Sequence, residues 1–513
     1  MKNIFNSIQV KAPNRNVFDL THDVKLTCNM GDLVPVMALE CVPGDKFELG
    51  AESLVRFAPL VSPVMHRFDV SIHYFFVPNR ILWDNWEKFI VDPNTTLVHP
   101  FLSVSGFDYN DAEKKFLNYM GIPVMNNTNP NYYNLNAFPF AAYNRIYNEY
   151  YRDQNMIAEV PSKLVDGQIG ADFRDYVVLR KRAWEHDYFT SALPFAQKGA
   201  SVSIPLGDVQ LKKPIPGLEG VFIDTATGEV PFNGYLLRQD GTSGTGDLVF
   251  DGTSKKALYD PNGSLEVDAT TITDLRRAFR LQEWLEKAAR SGSRYIEHLK
   301  AFFNVNSSDK RLQRPEYITG VKSPVVISEV LNTTGETDGL PQGNMAGHGV
   351  AVTTGRNGSY YCEEHGWIMG IMSIMPKTAY QQGIHRSLAQ RYEPLDYYYP
   401  EFAHIGEQPI YIDEIYVNDE VTNQSEIFGY IPRYSEYKYM PNRVAGDFAG
   451  NLSYWHAGRI FENKPQLNED FISADPTQRI FAVTDPTVDK LYVHVLHKIK
   501  AVRPMPYFGN PHL

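Results

Sequence analysis

The 513-residue chain has few cysteines and no excess of positive charge. An odd, sparse set of three cysteines is not a disulfide framework, so we expect a reducing compartment during synthesis. Acidic residues outnumber basic ones by 60 to 49, which gives a net charge of −11. Residues 1–16 contain three basic side chains, Lys2, Lys11 and Arg15, and therefore form no basic arm. A protein that bound nucleic acid by itself would usually carry such an arm or a basic domain.

Long hydrophobic runs are also missing. The most apolar stretch, residues 367–375, is about half the length that crosses a bilayer, so it predicts a buried strand and no membrane insertion. The N-terminus has no apolar stretch typical of a secretory signal, and we expect synthesis in the cytoplasm.

Motifs for catalysis, phosphate binding and metal binding are absent as well. The glycines of residues 241–246 lack the Gly-Lys-Ser/Thr ending of a phosphate-binding loop. Cys362 and His365 are too few for a four-ligand zinc site. Two interpretations remain for them: a Cys–His nucleophile pair, or two ordinary loop residues. The adjacent acids Glu363-Glu364 and Asp419-Glu420 are typical of solvated loops. We therefore predict no enzyme activity, no metal and no cofactor.

The chain is rich in aromatics, proline and glycine, with 31 Tyr, 29 Phe, 33 Pro and 36 Gly. Aromatic side chains favour strands and interfaces, whereas proline and glycine favour turns. Apolar residues alternate with polar ones near both ends, at Val24, Leu26 and Cys28 and at residues 491–495. This pattern predicts an antiparallel sheet in which the first and last strands are neighbours. A third alternating stretch, residues 67–74, runs into Phe75-Phe76-Val77, which predicts a strand that ends between two layers.

Helices are predicted at three places between the strands: residues 81–90, 141–152 and 274–290. The last carries a broad apolar stripe at helical spacing. We expect Thr273 or Asp274 to cap its start and Gly292 to lie just past its end.

One segment, residues 182–199 (RAWEHDYFTSALPFAQKG), is the most informative in the chain. Aromatic and small residues and a proline lie between charged ends, as in a buried joint that determines shape. The segment resembles the DYFTSALP…Q.G pattern in major capsid proteins of the microviruses, small icosahedral phages with single-stranded DNA. Six further blocks follow the order of that family: residues 28–36 with 42–47, 142–153, 290–295, 314–320, 429–438 and 503–509. The length, and a long variable stretch after Gly199, are most similar to the gokushovirus branch.

The resemblance implies a mainly β fold, the viral jelly roll, an eight-stranded antiparallel sandwich or barrel with long loop insertions and a few helices. Residues 1–513 would form a single capsid domain with this core. Residues 201–271, rich in proline and glycine, would form a surface insertion with short hairpins and a flexible tip, projecting at the threefold axes. This surface is a candidate for host attachment; the alternative is a tolerated insertion without a ligand.

The resemblance also implies a function and partners. The chain would be a virion protein that assembles, in the cytoplasm of the bacterial host, into a 60-subunit T=1 icosahedral capsid. Its partners would be further copies of itself, the circular single-stranded DNA genome, a small basic DNA-packaging protein, an internal scaffolding protein and a bacterial surface receptor. Three segments are expected to matter most for the structure: the part of the joint at residues 188–199, the block at residues 429–438, and the proline-rich tail at residues 503–509.

Two basic clusters are candidates for DNA contacts inside the capsid: Arg180, Lys181 and Arg182, and Lys310, Arg311 and Arg314. Trp184 and Tyr188 lie beside the first, and cations with nearby aromatic rings are typical of single-strand binding. Contacts between subunits, or exposure to solvent, are the alternatives for both clusters. A third group, Arg276, Arg277 and Arg280, accompanies Glu283 and Glu286 and predicts a salt-bridged helix face.

Two other classes of function fit a β-rich chain: a carbohydrate-binding β-sandwich or glycosidase, and a scaffold protein that forms small oligomers. A glycosidase would require two carboxylates facing a cleft, and the sequence points to no such pair.

Overall fold

The computed structural model describes residues 14–104, 109–123, 133–203, 209–211, 223–224, 258–259, 265–267, 271–331, 345–355, 358–417 and 426–508. The chain divides by its internal contacts into two compact units. The larger unit comprises residues 1–198 and 287–513, and the smaller unit comprises residues 199–286.

Strands account for most of the regular structure, so the protein is mainly β, as predicted. They are β1 (Asn16–Asp19), β2 (His22–Cys28), β3 (Val34–Cys41), β4 (Lys46–Phe57), β5 (Phe68–Pro78), β6 (Phe101–Val104), β7 (Tyr133–Asn136), β8 (Val209–Leu211), β9 (Ile223–Asp224), β10 (Leu258–Tyr259), β11 (Leu265–Val267), β12 (Glu316–Pro324), β13 (Val326–Leu331), β14 (Met345–Thr354), β15 (Gly358–Tyr361), β16 (Gly366–Pro376), β17 (Glu407–Tyr411), β18 (Ile427–Pro432) and β19 (Leu491–Arg503).

Helices lie between the strands and most are short. The α-helices are α1 (Asn79–Leu82), α2 (Trp86–Val91), α3 (Asp111–Tyr119), α4 (Phe138–Ile146), α5 (Ile272–Arg290), α6 (Tyr295–Phe303), α7 (Arg386–Ala389) and α8 (Glu469–Ile472). A π-helical turn follows α4 at Tyr147–Tyr151, and 3₁₀ helices occur at Ala171–Tyr176, Pro394–Asp396, Pro400–Phe402, Ile412–Glu414, Ser435–Tyr437, Gly446–Ala449 and Ser453–Trp455.

Two antiparallel sheets form the centre of the larger unit. The seven-stranded sheet has the order β1-β19-β4-β14-β13, with β2 paired to β19 and β15 paired to β4. The four-stranded sheet has the order β12-β5-β16-β3. Leu491 lies opposite Cys28 and Val495 lies opposite Val24, so the first long strand and the last are neighbours. This confirms the prediction made from the alternating patterns at the two ends of the chain.

The main hydrophobic core lies between these sheets, because each strand turns alternate side chains inward. Leu491, Val493 and Val495 of β19 contribute from the larger sheet, and Val70 and Ile72 of β5 contribute from the smaller one. All five side chains are at least 96% buried. Complete burial of an aliphatic side chain contributes roughly 1.5–3 kcal/mol, so the alternation itself accounts for the packing of the two sheets.

The four-stranded sheet is also covered on its second face. Phe76 belongs to the core between the sheets, whereas Phe75 and Val77 belong to a second cluster with α1, α3 and α4. The same is true of β16, where Ile368 faces the first cluster and Met369 faces the second. The predictions of a strand between two layers and of a buried strand at residues 367–375 are therefore confirmed.

The prediction of one continuous helix over residues 81–90 was wrong. The segment is divided into α1 and α2 by Trp83, which has extended backbone geometry. The indole Nε1 of Trp83 donates to Asp166 at 2.8 Å, and Asn85 donates to the same carboxylate oxygen at 2.9 Å. These tertiary hydrogen bonds, with complete burial of the Trp83 ring, outweigh the helical pattern of the surrounding residues.

The helix predicted over residues 141–152 begins earlier, at Phe138, and its last turn is π-helical. The third predicted helix is confirmed as α5, with Gly292 in the left-handed region (φ +90°) just past its end. Its cap is Thr271 and not Thr273 or Asp274: the Thr271 hydroxyl accepts from the Asp274 N–H at 3.2 Å. Within the apolar stripe, Phe279 and Trp284 remain about half exposed.

The smaller unit contains two pairs of short antiparallel strands, β8 with β11 and β9 with β10. The predicted flexible tip, residues 241–247, lies outside the described residues. No helix in the described part of the chain combines the length and the apolar character needed to cross a bilayer.

Candidate functional site: the aromatic joint and the basic surfaces

The segment of residues 182–199, called the joint below, is buried over its central part. Asp187, Tyr188, Phe189, Thr190 and Ala192 are all at most 5% exposed. The carboxylate of Asp187 accepts from the backbone N–H groups of Phe189 (2.9 Å) and Thr190 (2.8 Å), and from the Thr190 hydroxyl (3.0 Å). Asp187 therefore closes a tight turn whose polar groups are paired within the turn.

The same carboxylate fixes the turn to a distant part of the chain. The hydroxyl of Tyr380 donates to Asp187 Oδ2 at 2.7 Å. Burial, reinforced by the charge of Asp187, raises the pKa of Tyr380 well above its ordinary value, so the phenol stays protonated and remains a donor. The ring of Phe189 packs against Tyr380 with centroids 4.8 Å apart, which adds an apolar contact to the hydrogen bond.

A buried ionic network lies on the other side of the joint. Tyr188 donates to Glu414 at 2.9 Å, and Arg386 lies 3.1 Å from the same carboxylate. Burial raises the pKa of Glu414. Arg391 pairs at 2.7 Å with Glu436; burial alone would raise the pKa of Glu436, but this arginine's hydrogen bond, with another from a glutamine, lowers it.

The joint also pairs with β18, which overlaps the sequence block of residues 429–438. Leu193 and Tyr430 exchange two backbone hydrogen bonds, at 2.9 and 2.7 Å. A Cβ on Gly429 would lie 2.8 Å from Leu467 and 3.1 Å from Ala192, so the strand approaches the joint more closely than a larger residue allows. Two of the blocks singled out in the sequence are thus parts of one packed structure.

The tail begins at the end of β19. Arg503 pairs with the buried Asp45 at 3.1 Å and lies over the ring of Phe47, which anchors this end. Beyond it, Tyr507 and Phe508 are 64% and 76% exposed, although Tyr507 stacks on Phe18. Gly509 lies outside the described residues.

The guanidinium groups of the first basic cluster are used inside the chain. Arg180 donates to the carbonyl of Asp175 at 2.6 Å. Arg182 donates to the hydroxyls of Ser71 (2.9 Å) and Ser373 (2.8 Å), two buried residues of the four-stranded sheet. Arg182 also lines a cavity of about 350 Å³ whose walls include several aromatic rings. Lys181 is exposed and pairs with Asp475.

The second basic cluster is divided in the same way. Arg314 is largely buried and pairs with Glu149 at 2.8 Å, while its guanidinium lies over the ring of Tyr150. Lys310 is partly exposed and pairs with Glu363. Arg311 is exposed, and its guanidinium has no partner among the described residues. Lys181, Lys310 and Arg311 are therefore the members of the two clusters that remain accessible to a partner.

The helix face predicted to be salt-bridged is confirmed in part: Arg280 lies 2.5 Å from Glu283, and Arg277 lies 3.7 Å from Asp274.

The sequence positions considered for enzyme chemistry have ordinary structural roles where they are described. Cys362 is completely buried, and Glu364 is held by Arg80 at 3.0 Å. Asp419 and Glu420 lie outside the described residues. In the described part of the chain, no three His, Cys, Asp or Glu side chains lie close enough together to hold a metal ion.

A basic and aromatic groove that sequence reasoning missed lies on the outward face of the seven-stranded sheet. This groove, called the Tyr492 groove below, has a volume of about 700 Å³ and lies between β2, β4, β19 and α3. Lys25, Arg56 and Lys115 provide its cations, and Tyr492 is exposed within it. No short sequence motif marks the groove, because its residues come from four separate elements. The alternating pattern of β19, which turns Tyr492 away from the core, is the one signal that pointed to it.

Comparison with known proteins identifies the chain's family. The family model described as "Capsid protein (F protein)" matches residues 6–513. Capsid protein VP1 of Bdellovibrio phage phiMH2K is 35% identical, over 99% of this chain and 97% of that protein. Capsid protein VP1 of Chlamydia phage 1 is 35% identical, over 100% and 98%. Capsid protein VP1 of Spiroplasma virus 4 is 28% identical, over 97% and 95%.

The match extends over nearly the whole chain and nearly the whole of each relative, so it covers the joint, the two sheets and the tail alike. The chain therefore belongs to the F-type capsid protein family of the small single-stranded DNA phages, and is a structural component of the virion and not an enzyme.

Proposed function

We propose that the chain is the repeating subunit of a T=1 icosahedral shell that encloses a circular single-stranded DNA genome. The family match over residues 6–513 carries this proposal. A closed shell requires that each copy present surfaces complementary to its neighbours, and 60 identical copies satisfy icosahedral symmetry.

The core of the subunit is proposed to be a viral jelly roll. Eight strands support this, four in each sheet: β2-β19-β4-β14 in one and β3-β16-β5-β12 in the other. Successive strands β2, β3, β4 and β5 alternate between the two sheets, as expected when the chain passes back and forth across a sandwich of two Greek keys. Residues 1–513 would then be one capsid domain built on this core.

An exposed apolar surface supports assembly with further copies. The surface begins within α7 and includes two highly exposed residues, Leu388 in the helix and Tyr392 just after it, each 74% exposed. Tyr397, Tyr398 and Tyr437 follow at 50–54% exposure. Arg391 lies over the rings of Tyr397 and Tyr437, and the buried Glu436 holds that guanidinium. Tyrosine and arginine on a rigid support are typical of the residues that contribute most at interfaces.

Residues 201–271 are proposed to project from the shell at the threefold axes and to contact a receptor on the bacterial surface. The division of the chain at residues 199 and 286 supports a separate insertion: the first limit lies close to the expected residue 201, whereas the second lies past the expected residue 271, within α5. The net charge of −11 supports a separate basic packaging protein beside the genome, and an internal scaffolding protein would guide assembly.

The test is electron microscopy with light scattering of the full chain, alone and with the small proteins encoded beside it. Closed shells of uniform diameter are expected, and a stable monomer or dimer in both conditions would contradict the proposal. Leu388→Glu places a charge on the exposed surface and should leave a folded chain that forms no shells. Leu388→Met, the matched control, should assemble normally.

A further inference from the structure

The Tyr492 groove is lined by more basic than acidic side chains, although the chain as a whole is acidic. Among the described residues that line it, Lys25, Arg56 and Lys115 accompany one carboxylate, Asp489, and the chain has a net charge of −11. That carboxylate is already occupied: it pairs with Lys115, and accepts from the Thr27 hydroxyl at 2.7 Å. The acid in the groove is therefore neutralised by the protein itself, and the groove is left with positive charge.

Arg56 is a cation of the groove that meets no partner in the part of the chain that the structure describes. It is exposed on β4, and its guanidinium has no hydrogen-bond or ion-pair partner among the described residues. The ammonium of Lys25 pairs at 3.0 Å with Asp23 but is 72% exposed, so this surface pair is weak and open to exchange. An anion that enters the groove would meet one unpaired cation and a second that is easily released.

An aromatic ring lies between these cations. Tyr492 on β19 is directly opposite Arg56 on β4 and Thr27 on β2, and two residues further along β19, His494 is directly opposite Lys25. Side chains opposite each other on one face of a sheet are about 4.5–5.5 Å apart at Cβ. Tyr492 is 41% exposed, so part of its surface remains open to a ligand.

Helix α3 gives the groove a fixed wall. The Tyr119 hydroxyl donates to the carbonyl of Thr27 at 2.6 Å, and Lys115 pairs with Asp489, two residues before β19 begins. The start of α3 is closed by a capping box between Asn110 and Glu113. The groove is thus bounded by a sheet on one side and by an anchored helix on the other, which limits the reorganisation needed on binding.

The geometry points to a binding site for single-stranded nucleic acid in the Tyr492 groove, with a base stacked on Tyr492 and adjacent phosphates paired with Arg56 and Lys25. An aromatic platform bordered by cations is the arrangement with which proteins bind single strands. A duplex would not fit this chemistry, because its bases are already stacked. That the bound strand is the packaged genome rests on the proposed function; the binding itself does not.

The test uses the full-length chain and a short fluorescent oligodeoxythymidine, with affinity measured by anisotropy at several salt concentrations. Arg56→Gln and Tyr492→Leu should each weaken binding about tenfold. Arg56→Gln should also reduce the slope of log affinity against log salt concentration by about one, the value expected for one lost phosphate contact. Arg56→Lys and Tyr492→Phe keep the charge and the ring, and should retain most of the affinity. An oligomer carrying 5-iodouracil should crosslink to Tyr492 on irradiation.

Matched controls lie on the same sheet. Lys500→Gln removes an exposed cation from β19 outside the groove, and Tyr361→Leu removes an exposed ring from β15; both should change the affinity less than twofold. Duplex DNA and polyglutamate should compete poorly, since the first hides its bases and the second has none. An oligoribonucleotide that competes equally would identify a general single-strand site, and one that competes poorly would identify a DNA site.

The inference is overturned if the wild-type chain does not bind the oligomer, or if the control variants weaken binding as much as the groove variants. Electron microscopy of the same variants separates this result from the proposed function. If Arg56→Gln forms normal shells that contain less nucleic acid, the result would support both the proposed shell function and the nucleic-acid site. If the wild-type chain forms no shells but still binds the oligomer in the groove, the proposed shell function is contradicted and the nucleic-acid site is retained.

Discussion

Arg182 and Arg56 both lie beside a tyrosine, and the fold uses them in opposite ways. Arg182 lies over the ring of Tyr151 and donates to two serine hydroxyls of the four-stranded sheet. Arg56 lies opposite Tyr492 on the seven-stranded sheet and has no partner for its guanidinium among the described residues. The first arginine stabilises the fold, and the second is available to a ligand. A cation near an aromatic ring is therefore evidence of a binding site only when the cation is free.

The same contrast separates the joint from the Tyr492 groove. In the joint, Asp187, Tyr188 and Thr190 are buried, and their polar groups are satisfied within the chain. In the groove, the cations and the ring face outward. The joint should therefore respond to mutation through stability, and the groove should respond through binding.

The largest effect is expected from Phe189→Ala in the joint. The ring is 2% exposed and packs against Tyr380 and Phe428, so its removal leaves a cavity that should cost about 3–5 kcal/mol of unfolding free energy. Urea unfolding of the unassembled chain measures this. Phe303→Ala removes a ring that is 66% exposed and should cost less than about 1 kcal/mol. Equal losses in the two variants would show that the joint is not a packed centre.

Arg182→Ala and Arg56→Ala test the contrast between the two arginines directly. Loss of the Arg182 hydrogen bonds and of its contact with Tyr151 should reduce the unfolding free energy by about 2–3 kcal/mol. Arg56→Ala should change it by less than about 0.5 kcal/mol, because an exposed side chain without a partner stabilises little. Thermal and urea unfolding of the two variants, under one set of conditions, provide the measurement. The comparison fails if the two losses are similar.

Lowering the pH should destabilise the folded chain through a histidine on the inward side of β19. His497 is completely buried, hydrogen-bonded to Tyr74 at 2.6 Å, and burial, with a smaller effect of His22, lowers its pKa to about 4. Its neutral form is favoured in the folded state, so its contribution to stability is complete above pH 6.5 and is lost as the pH falls toward 4. Between pH 7 and pH 5 the wild type should lose about 2 kcal/mol more than His497→Gln. A difference near zero in urea titrations at the two pH values would show that His497 is not held neutral.

The smallest effects are expected from the accessible lysines of the two sequence-predicted clusters. Lys181→Gln and Lys310→Gln each break one surface ion pair and should cost less than about 1 kcal/mol in stability. In the oligonucleotide assay their effect should be smaller than that of Arg56→Gln. A larger effect from Lys181→Gln than from Arg56→Gln would assign the nucleic-acid contact to the first basic cluster and not to the Tyr492 groove.

Strand positions were predictable because alternation of apolar residues is a local property with a local cause. Leu491, Val493 and Val495 turn inward for the reason that the sequence indicated, and Phe75-Phe76-Val77 is buried on both faces. The helix over residues 81–90 was predicted as one element because its pattern is helical throughout. The hydrogen bonds from Trp83 and Asn85 to Asp166, a residue far along the chain, divide it.

The candidate site was predicted in part. The joint and residues 429–438 were recognised as structural segments, and the pairing of Leu193 with Tyr430 shows that they meet. Their proximity could not be read from the sequence, because nothing local specifies which strand lies beside the joint. The Tyr492 groove was missed for the same reason, since β2, β4, β19 and α3 contribute to it from separate parts of the chain.

By itself, the sequence determined the family, the mainly β character, the buried joint and the absence of the common catalytic motifs, since each depends on the identity and spacing of nearby residues. The tertiary structure decided which charged groups are available. Arg182 is occupied because Ser71 and Ser373 come from strands that pair only after folding, whereas the guanidinium of Arg56 meets no ion-pair partner in the described part of the chain. The availability of a charge depends on its neighbours in space, and the fold alone sets those neighbours.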